Sequence, residues 1–396
     1  MKFSSIMKSI AYVWRAKKVW RKPKQAWTLI YDRNGVEVLQ EYIDKRYVEI
    51  LDLRGESINI YTLLRCVFSL KLSVANYALE YISLVKPSVV ITLIHNNREY
   101  YKLKNAHPHL VTVFVQNGLN SEFGDIFGYL ENNPANDVAE VDYMLTFGAA
   151  YGEKYRKYIK GRAIPIGSIK NNLCQPGKEI EAGSLVYISQ FRPQPSDPDA
   201  AYLSDGTTSY FYDDYYAAER KLLAFFAKYC ELENLRLQVC GAPSKTTGEE
   251  YEFFNTRIGN TNWDFIPSSS LYGSYDVIDS AEYVVFVESA LGYESLARGK
   301  KTAAFPIRGE MLHQASWNFG WPADLPDDGP FWTNHADERE FERVMTYITN
   351  VSDEEWEQTR QRYVPDLMEY DSGNTRFVNL MRKLGVPLNP EYQTDV

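Results

Sequence analysis

The strongest constraint in this sequence is a rhythm, in which short and nearly continuous apolar runs alternate with helix-length amphipathic stretches. "AWTLIYD" (26–32) and "YVEILDL" (47–53) read as strands, "INIYTLLRCVFSL" (58–70) and "SVANYALEYISLV" (73–85) as helices, and "SVVITLI" (88–94) and "LVTVFV" (110–115) as buried strands. Strands apolar on both faces belong in a parallel sheet covered by helices on either side. The first α/β unit closes with the strand "YMLTFG" (143–148) and the helix "AYGEKYRKYI" (150–159).

A polar stretch, "NNLCQPGKEIEAGS" (171–184), interrupts the rhythm and reads as a linker. It restarts with the strand "LVYISQ" (185–190), the helix "DDYYAAERKLLAFFAKYC" (213–230), the strands "LRLQVC" (235–240) and "WDFIP" (263–267), and the helix "LYGSYDVIDS" (271–280). From Asp337 to about Leu384 the pattern is helical, with a capping box at Ser352 and Glu355. The expected organisation is an arm over 1–24, an α/β domain over 25–170 on the acceptor side, and a second α/β domain over 185–384. A length of 396 residues suits two such domains.

Charge narrows the partners. A net charge of −9 argues against a nucleic-acid binder, which needs a broad positive field. Four cysteines without Cys-x-x-Cys spacing and only five histidines support neither a zinc cage nor a disulfide framework, and fit a reducing cytoplasm. No apolar stretch approaches the ~20 residues that cross a bilayer. The first 24 residues, however, carry eight Lys or Arg and no acid, with Phe3, Ile6, Met7, Ile10 and Trp14 at helical spacing. That pattern is expected either of a helix on the inner, anionic face of a plasma membrane or of an ordinary amphipathic helix packed on its own domain.

Ligands of open α/β sheets bind beyond the carboxyl ends of the strands, so the loops that follow strands hold the candidate site. "HNN" (95–97) offers His95 as acid or base, and "QNGLNSEFGD" (116–125) offers Gln116, Asn117 and Glu122. The loop "SQFRPQPSDPDAAYLSDGTTSYFYDDYY" (189–216) is long enough for a lid; it contributes Gln190 and Arg192 as substrate contacts. At its end, Asp214 is the expected base or nucleophile and Asp213 a helix cap. "GAPSKTTGE" (241–249) brings Gly241 for close approach and Lys245 for a phosphate. "PIRGEMLHQASWNFGW" (306–321) brings Arg308 and His313.

The densest stretch is "VVFVESALGYESLARGKKTAAFP" (284–306), a strand, a polar break, a helix and another strand. Ser289 is placed to cap a helix whose free N–H groups favour an anion, and Gly292 leaves room beside it. Strand, Ser-x-x-Gly, Glu294 and "ARGKK" (297–301) together resemble the nucleotide-binding unit of GT-B glycosyltransferases. The resemblance implies that Ser289 and Gly292 meet a donor phosphate and Glu294 a ribose. It also implies two Rossmann-like domains facing a cleft, with C-terminal helices returning to the first. "KPSVVITLIHNN" (86–97) and "VFVQNG" (113–118) are similar to proteins of bacterial surface-carbohydrate synthesis, a group that includes transferases of Kdo from CMP-Kdo. The expected activity is therefore transfer of a sugar from a nucleotide-activated donor to a glycan or glycolipid of lipopolysaccharide or capsule, with no cofactor and no metal. A GT-B-shaped sugar-nucleotide epimerase and a non-catalytic nucleotide-sugar-binding scaffold are the alternatives.

Overall fold

The computed structural model describes residues 15–133, 139–242, 246–259 and 261–393, and its core is two separate parallel sheets. The first runs, in spatial order, Val48–Leu51, Thr28–Tyr31, Val89–Thr92, Val111–Val115, Glu140–Thr146 and Lys160–Pro165, all parallel. The second runs Trp263–Ile266, Arg236–Cys240, Glu181–Ile188, Ala281–Phe286, Lys301–Ala304 and Trp332–Thr333 in parallel, then Asp328–Gly329 antiparallel at the edge. Each order reverses once. In the first sheet the reversal falls between Thr28–Tyr31 and Val89–Thr92, in the second between Glu181–Ile188 and Ala281–Phe286, and such reversals open a crevice at the carboxyl ends.

Local sequence explains the elements. All four residues of Val89–Thr92 are buried, as a strand covered on both faces requires. The helix Val74–Val85 starts where the Ser73 hydroxyl accepts from the Asn76 N–H, and it ends at Lys86 in the left-handed conformation just before Pro87. The capping box at Ser352 forms its expected bond, from the Glu355 N–H.

Several expectations change. Lys17–Val19 is a strand, paired in parallel with Ser57–Asn59, where helix was expected both for the arm and from residue 58; residues 1–14 lie outside the described residues. Tertiary pairing here overrides the amphipathic pattern. The strand Lys160–Pro165 and the helix Thr247–Ile258 were not anticipated, the former because an exposed edge strand carries few apolar residues. The expected linker is shorter, since the first strand of the second sheet begins at Glu181 rather than 185.

The C-terminal helix returns to the first sheet. Phe377, Val378, Leu380 and Met381 of Thr375–Lys383 pack in one cluster with Ile30, Leu39, Val89 and Val113. Asn374 locks the return: its amide donates to Tyr42 Oη (2.6 Å) and Ile169 O (2.8 Å) and its Oδ1 accepts from Asn172 (2.9 Å). It is buried and sits at φ 57, a backbone that Asn tolerates better than Ala. Asn374→Ala is expected to cost about 2–4 kcal/mol, from orphaned buried partners plus backbone strain, and Asn374→Gly clearly less. Chemical denaturation of both variants checks this; equal losses would remove strain from the account.

Candidate functional site

The two sheets face each other across a cleft. Its larger chamber, about 660 Å³, is walled by Leu119, Ser121 and Phe123 from the first half and by Gln190, Arg192 and Tyr215 from the second. A narrower chamber of about 180 Å³ shares Leu119, Ser121, Gln190 and Tyr215 with it and adds Asn120, Tyr151, Glu288 and Trp321. Aromatic contacts bridge the halves, Phe123 on Trp317 (5.5 Å between centroids) and Phe127 on Trp321 (5.4 Å).

The cleft lies at the reversal of the second sheet. Gln190 follows Glu181–Ile188, Glu288 follows Ala281–Phe286, and the Gln190 amide joins the two exits. Its Oε1 accepts from the Glu288 N–H at 3.0 Å and its Nε2 donates to the Glu288 carbonyl. With both ends of that amide spent on backbone, Gln190 shapes the wall rather than gripping a ligand.

Behind the wall is a buried charged group. Arg308 is fully buried; it donates to Glu288 Oε2 at 2.7 Å, to Glu219 Oε1, and through Nε to the Tyr215 carbonyl at 3.0 Å. Its guanidinium lies 3.9 Å from the centroid of the Tyr215 ring. One cation thus faces two carboxylates, and the buried Glu288 Oε1 and Glu219 Oε2 have no hydrogen-bond partner among the described residues. Burial pushes the Glu288 carboxyl up to about 7, against the pull of Arg308 and with the negative charge of Glu219 adding to the rise. Glu219 is raised by burial as well, the arginine opposing it. In the sequence Glu288 is an acid at a strand exit with no motif that gives it a role. Only its spatial neighbours, 69 and 20 residues away, reveal one.

The expected catalytic residues are placed differently. Asp214 is exposed, does not line either chamber, and accepts from the Phe211 N–H at the start of its own helix (3.4 Å). Asp213 lies inside that helix and pairs with Arg220, so the N-cap is Phe211. Glu122 is held by Lys154 at 2.6 Å and is not among the residues that line either chamber. His95 is buried one layer back. Its Nδ1 accepts from the Asn117 N–H (3.2 Å), so the proton sits on Nε2, which donates to Asn120 Oδ1 (2.5 Å), and burial lowers its pKa. His95 is a neutral strut for Asn120, which does reach the cleft.

Among the binding candidates, Arg192 lines the larger chamber and is exposed there. Gln116 is buried, bridging the Phe147 N–H (2.9 Å) and the Gly118 carbonyl (3.1 Å), and Asn117 contributes its backbone to His95. Arg308 is wholly engaged by protein, which corrects its expected contact with a phosphate or sugar carboxylate. His313 is exposed at φ 55 and lines a separate hollow with Glu310 and His335. A side chain on Gly241 would meet the Phe265 ring at 3.0 Å and the Ile266 carbonyl at 3.2 Å, so this glycine serves strand packing. Lys245 lies outside the described residues.

In the 284–306 unit, Ser289 is half-buried at the start of Ala290–Ala297, and its side chain makes no capping bond, contrary to expectation. Glu294 is buried and accepts from Tyr275 Oη at 3.0 Å and from the Ser168 hydroxyl, tying the second sheet's helix to the exit of the first sheet instead of presenting itself to the cleft. Gly292 has no Cβ because one would stand 2.2 Å from the Phe286 ring.

Two Rossmann-like sheets facing one cleft, with C-terminal helices returning to the first, define the GT-B fold. The chain is similar to the S. aureus MnaA–UDP co-structure at TM-score 0.50 and 10% identity, over 92% of this chain and 97% of that one. It is equally similar to a Listeria monocytogenes protein described as "putative UDP-N-acetylglucosamine 2-epimerase", at TM-score 0.50 and 10% identity, over 90% and 96%. The wall teichoic acid polymerase TagF scores 0.45 at 11% identity, over 91% and 89%. At such identities the likeness concerns the fold alone. A search of curated proteins by sequence finds no match. Residues 113–385 match the family described as "putative O-antigen biosynthesis protein", and the chain belongs to that family.

Gly292 separates a packing role from a ligand role. Gly292→Ala is expected to lower stability by about 1–3 kcal/mol through overpacking against Phe286, whereas Gly118→Ala, where an added Cβ would meet no atom of the described residues within 4 Å beyond its chain neighbours, stays within about 0.5 kcal/mol. Thermal or urea melts decide; unchanged stability of Gly292→Ala would contradict the packing account.

Proposed function

We propose that this protein transfers a sugar from a nucleotide-activated donor to a glycan or glycolipid acceptor in bacterial surface-polysaccharide synthesis, with the donor bound in the cleft. Membership of the O-antigen biosynthesis family supports the pathway class, and the GT-B fold supports a nucleotide-sugar ligand. The observation that carries the reading is Glu288: a carboxyl raised to about 7, with one buried oxygen unpartnered among the described residues, in the lining of a cleft at a sheet reversal.

The residues divide the work. The phosphate of the donor is placed at Ser289 and the first N–H groups of Ala290–Ala297, where the helix dipole favours negative charge. Arg192 supplies a cation on the chamber wall, and Tyr215 and Trp317 offer ring faces to the sugar or base. The carboxylate form of Glu288 takes the proton of the acceptor hydroxyl as that oxygen bonds to the anomeric carbon and the bond from that carbon to the donor phosphate breaks; a carboxyl that titrates near neutrality, backed by Arg308, is matched to that task. Residues 15–24, with Lys17, Lys18 and Lys22 exposed, would bring the protein to an anionic membrane surface.

Glu288→Gln preserves the shape and a contact with Arg308 while removing the titrating group. It is expected to lower turnover about 100-fold or more with donor binding nearly unchanged, and to abolish the inflection near pH 7 in the rate profile. Stability carries the same signature. The folded carboxyl binds its proton more tightly than the ordinary 4.5, so wild-type stability declines as pH rises from about 4.5 through about 7, and the variant loses that slope. The assay compares CMP-linked and UDP-linked donors with and without acceptor. Turnover that needs no acceptor and yields an isomerised sugar would favour an epimerase, and full activity of Glu288→Gln would remove the residue from catalysis.

A further inference from the structure

The reversal of the first sheet has a crevice of its own, distinct from the cleft. About 480 Å³ in volume, it lies beyond Thr28–Tyr31 and Val89–Thr92 and is lined by Asp32, Arg54, Asn96, Arg98 and Tyr129. Open α/β sheets bind ligands at such points. The charges inside are unequal in availability. Asp32 is engaged by Arg54 Nε at 2.8 Å and by the Asn34 N–H at 3.2 Å, and Glu99 lies 3.6 Å from Lys102. Arg98 instead lays its guanidinium 3.6 Å from the centroid of the Tyr129 ring and, among the described residues, has no carboxylate partner. A planar cation held by an aromatic face, with its N–H edges unspent, suits a phosphate.

Val74 and Ala75 line the same crevice and belong to an unusual surface. Every residue from Val67 to Val74 is exposed, including Phe68 (84%), Leu70 (87%) and Leu72 (63%). This turn joins the helices Ile60–Phe68 and Val74–Val85, and its one charge is Lys71. Soluble chains rarely leave such a contiguous apolar patch uncovered without a partner. The first of the two helices follows the strand Ser57–Asn59, which pairs with Lys17–Val19 next to the exposed Trp20 and Lys22. In a chain of net charge −9, apolar tip, exposed tryptophan and local positive charge together complement an anionic lipid surface.

We propose that the 67–74 turn inserts into a membrane surface and that the adjoining crevice, through Arg98, binds the phosphate headgroup of a lipid in that membrane. The apolar turn supplies insertion, the basic strand supplies attraction, and the crevice supplies preference for an exposed phosphate. This assignment does not depend on which sugar chemistry the cleft performs.

The test is flotation of the full-length protein with phosphatidylcholine vesicles, plain or doped with equal charge from phosphatidic acid or phosphatidylglycerol. Wild type is expected to bind the phosphatidic acid vesicles best. Phe68→Ser with Leu70→Asn should weaken that binding about tenfold or more; Leu70 sits at φ 58, where Asn is at ease, so the turn keeps its shape. Arg98→Gln should retain binding to phosphatidylglycerol and lose the excess for phosphatidic acid. Inorganic phosphate alone is expected not to displace the protein from vesicles. The proposal is overturned by vesicle binding that survives the tip variant, by equal binding to the two anionic lipids, or by release with inorganic phosphate, which would make the site one for the free ion. A dimer by light scattering that the tip variant dissolves would assign the patch to a second copy of the chain instead.

Discussion

One buried arginine governs the candidate site. Charges removed from water cost several kcal/mol each unless they are paired, and Arg308 is paired twice, with Glu219 and Glu288, under the ring of Tyr215. Two carboxylates and one guanidinium leave an excess negative charge in a place that water scarcely reaches. A proton resolves the excess. Glu219 is 3% exposed, whereas Glu288 is 16% exposed and borders the cleft, so of the two carboxyls Glu288 is the one placed nearer to a ligand. The same arrangement that permits the arginine to be buried therefore produces an acid–base group near neutrality.

Everything around this group depends on the sheet reversal. Glu181–Ile188 and Ala281–Phe286 are hydrogen-bonded neighbours, yet their following segments leave in different directions, which is why a hollow opens between them. The Gln190 amide spans the hollow's floor by bonding both backbone groups of Glu288, and thereby fixes where the Glu288 side chain starts. On the opposite wall, His95 fixes Asn120 in the same fashion, with Tyr155 adding a bond at 3.1 Å to the same oxygen. Gln190 and Asn120 are thus each fixed by protein partners, one on each wall of the cleft, which is a condition for holding a ligand in one pose.

The fold was largely legible in the sequence because its signal is local. Continuous apolar strands such as 88–94 and 110–115 admit few alternatives to a covered parallel sheet, and the strand–Ser–helix unit at 284–306 marks the fold by itself. What escaped was non-local: the pairing of Lys17–Val19 with Ser57–Asn59, and the edge strand Lys160–Pro165, whose residues are half-exposed. The site was less legible for the same reason. Residue type suggested that Asp214, Glu122 and Arg308 face a ligand, but each is spent on a protein partner, Phe211, Lys154 and the two glutamates respectively. Glu288 resembles any polar residue at a strand end until Arg308 and Glu219 are brought beside it.

The central claim is that the nucleotide-sugar donor occupies the cleft at the reversal of the second sheet. Hydrogen–deuterium exchange of the full-length protein, with and without saturating CMP or UDP, tests it most directly. The account predicts slowed exchange confined to two segments, 189–192 and 287–292, for whichever nucleotide binds. Protection that appears instead around 94–99, at the reversal of the first sheet, would contradict it.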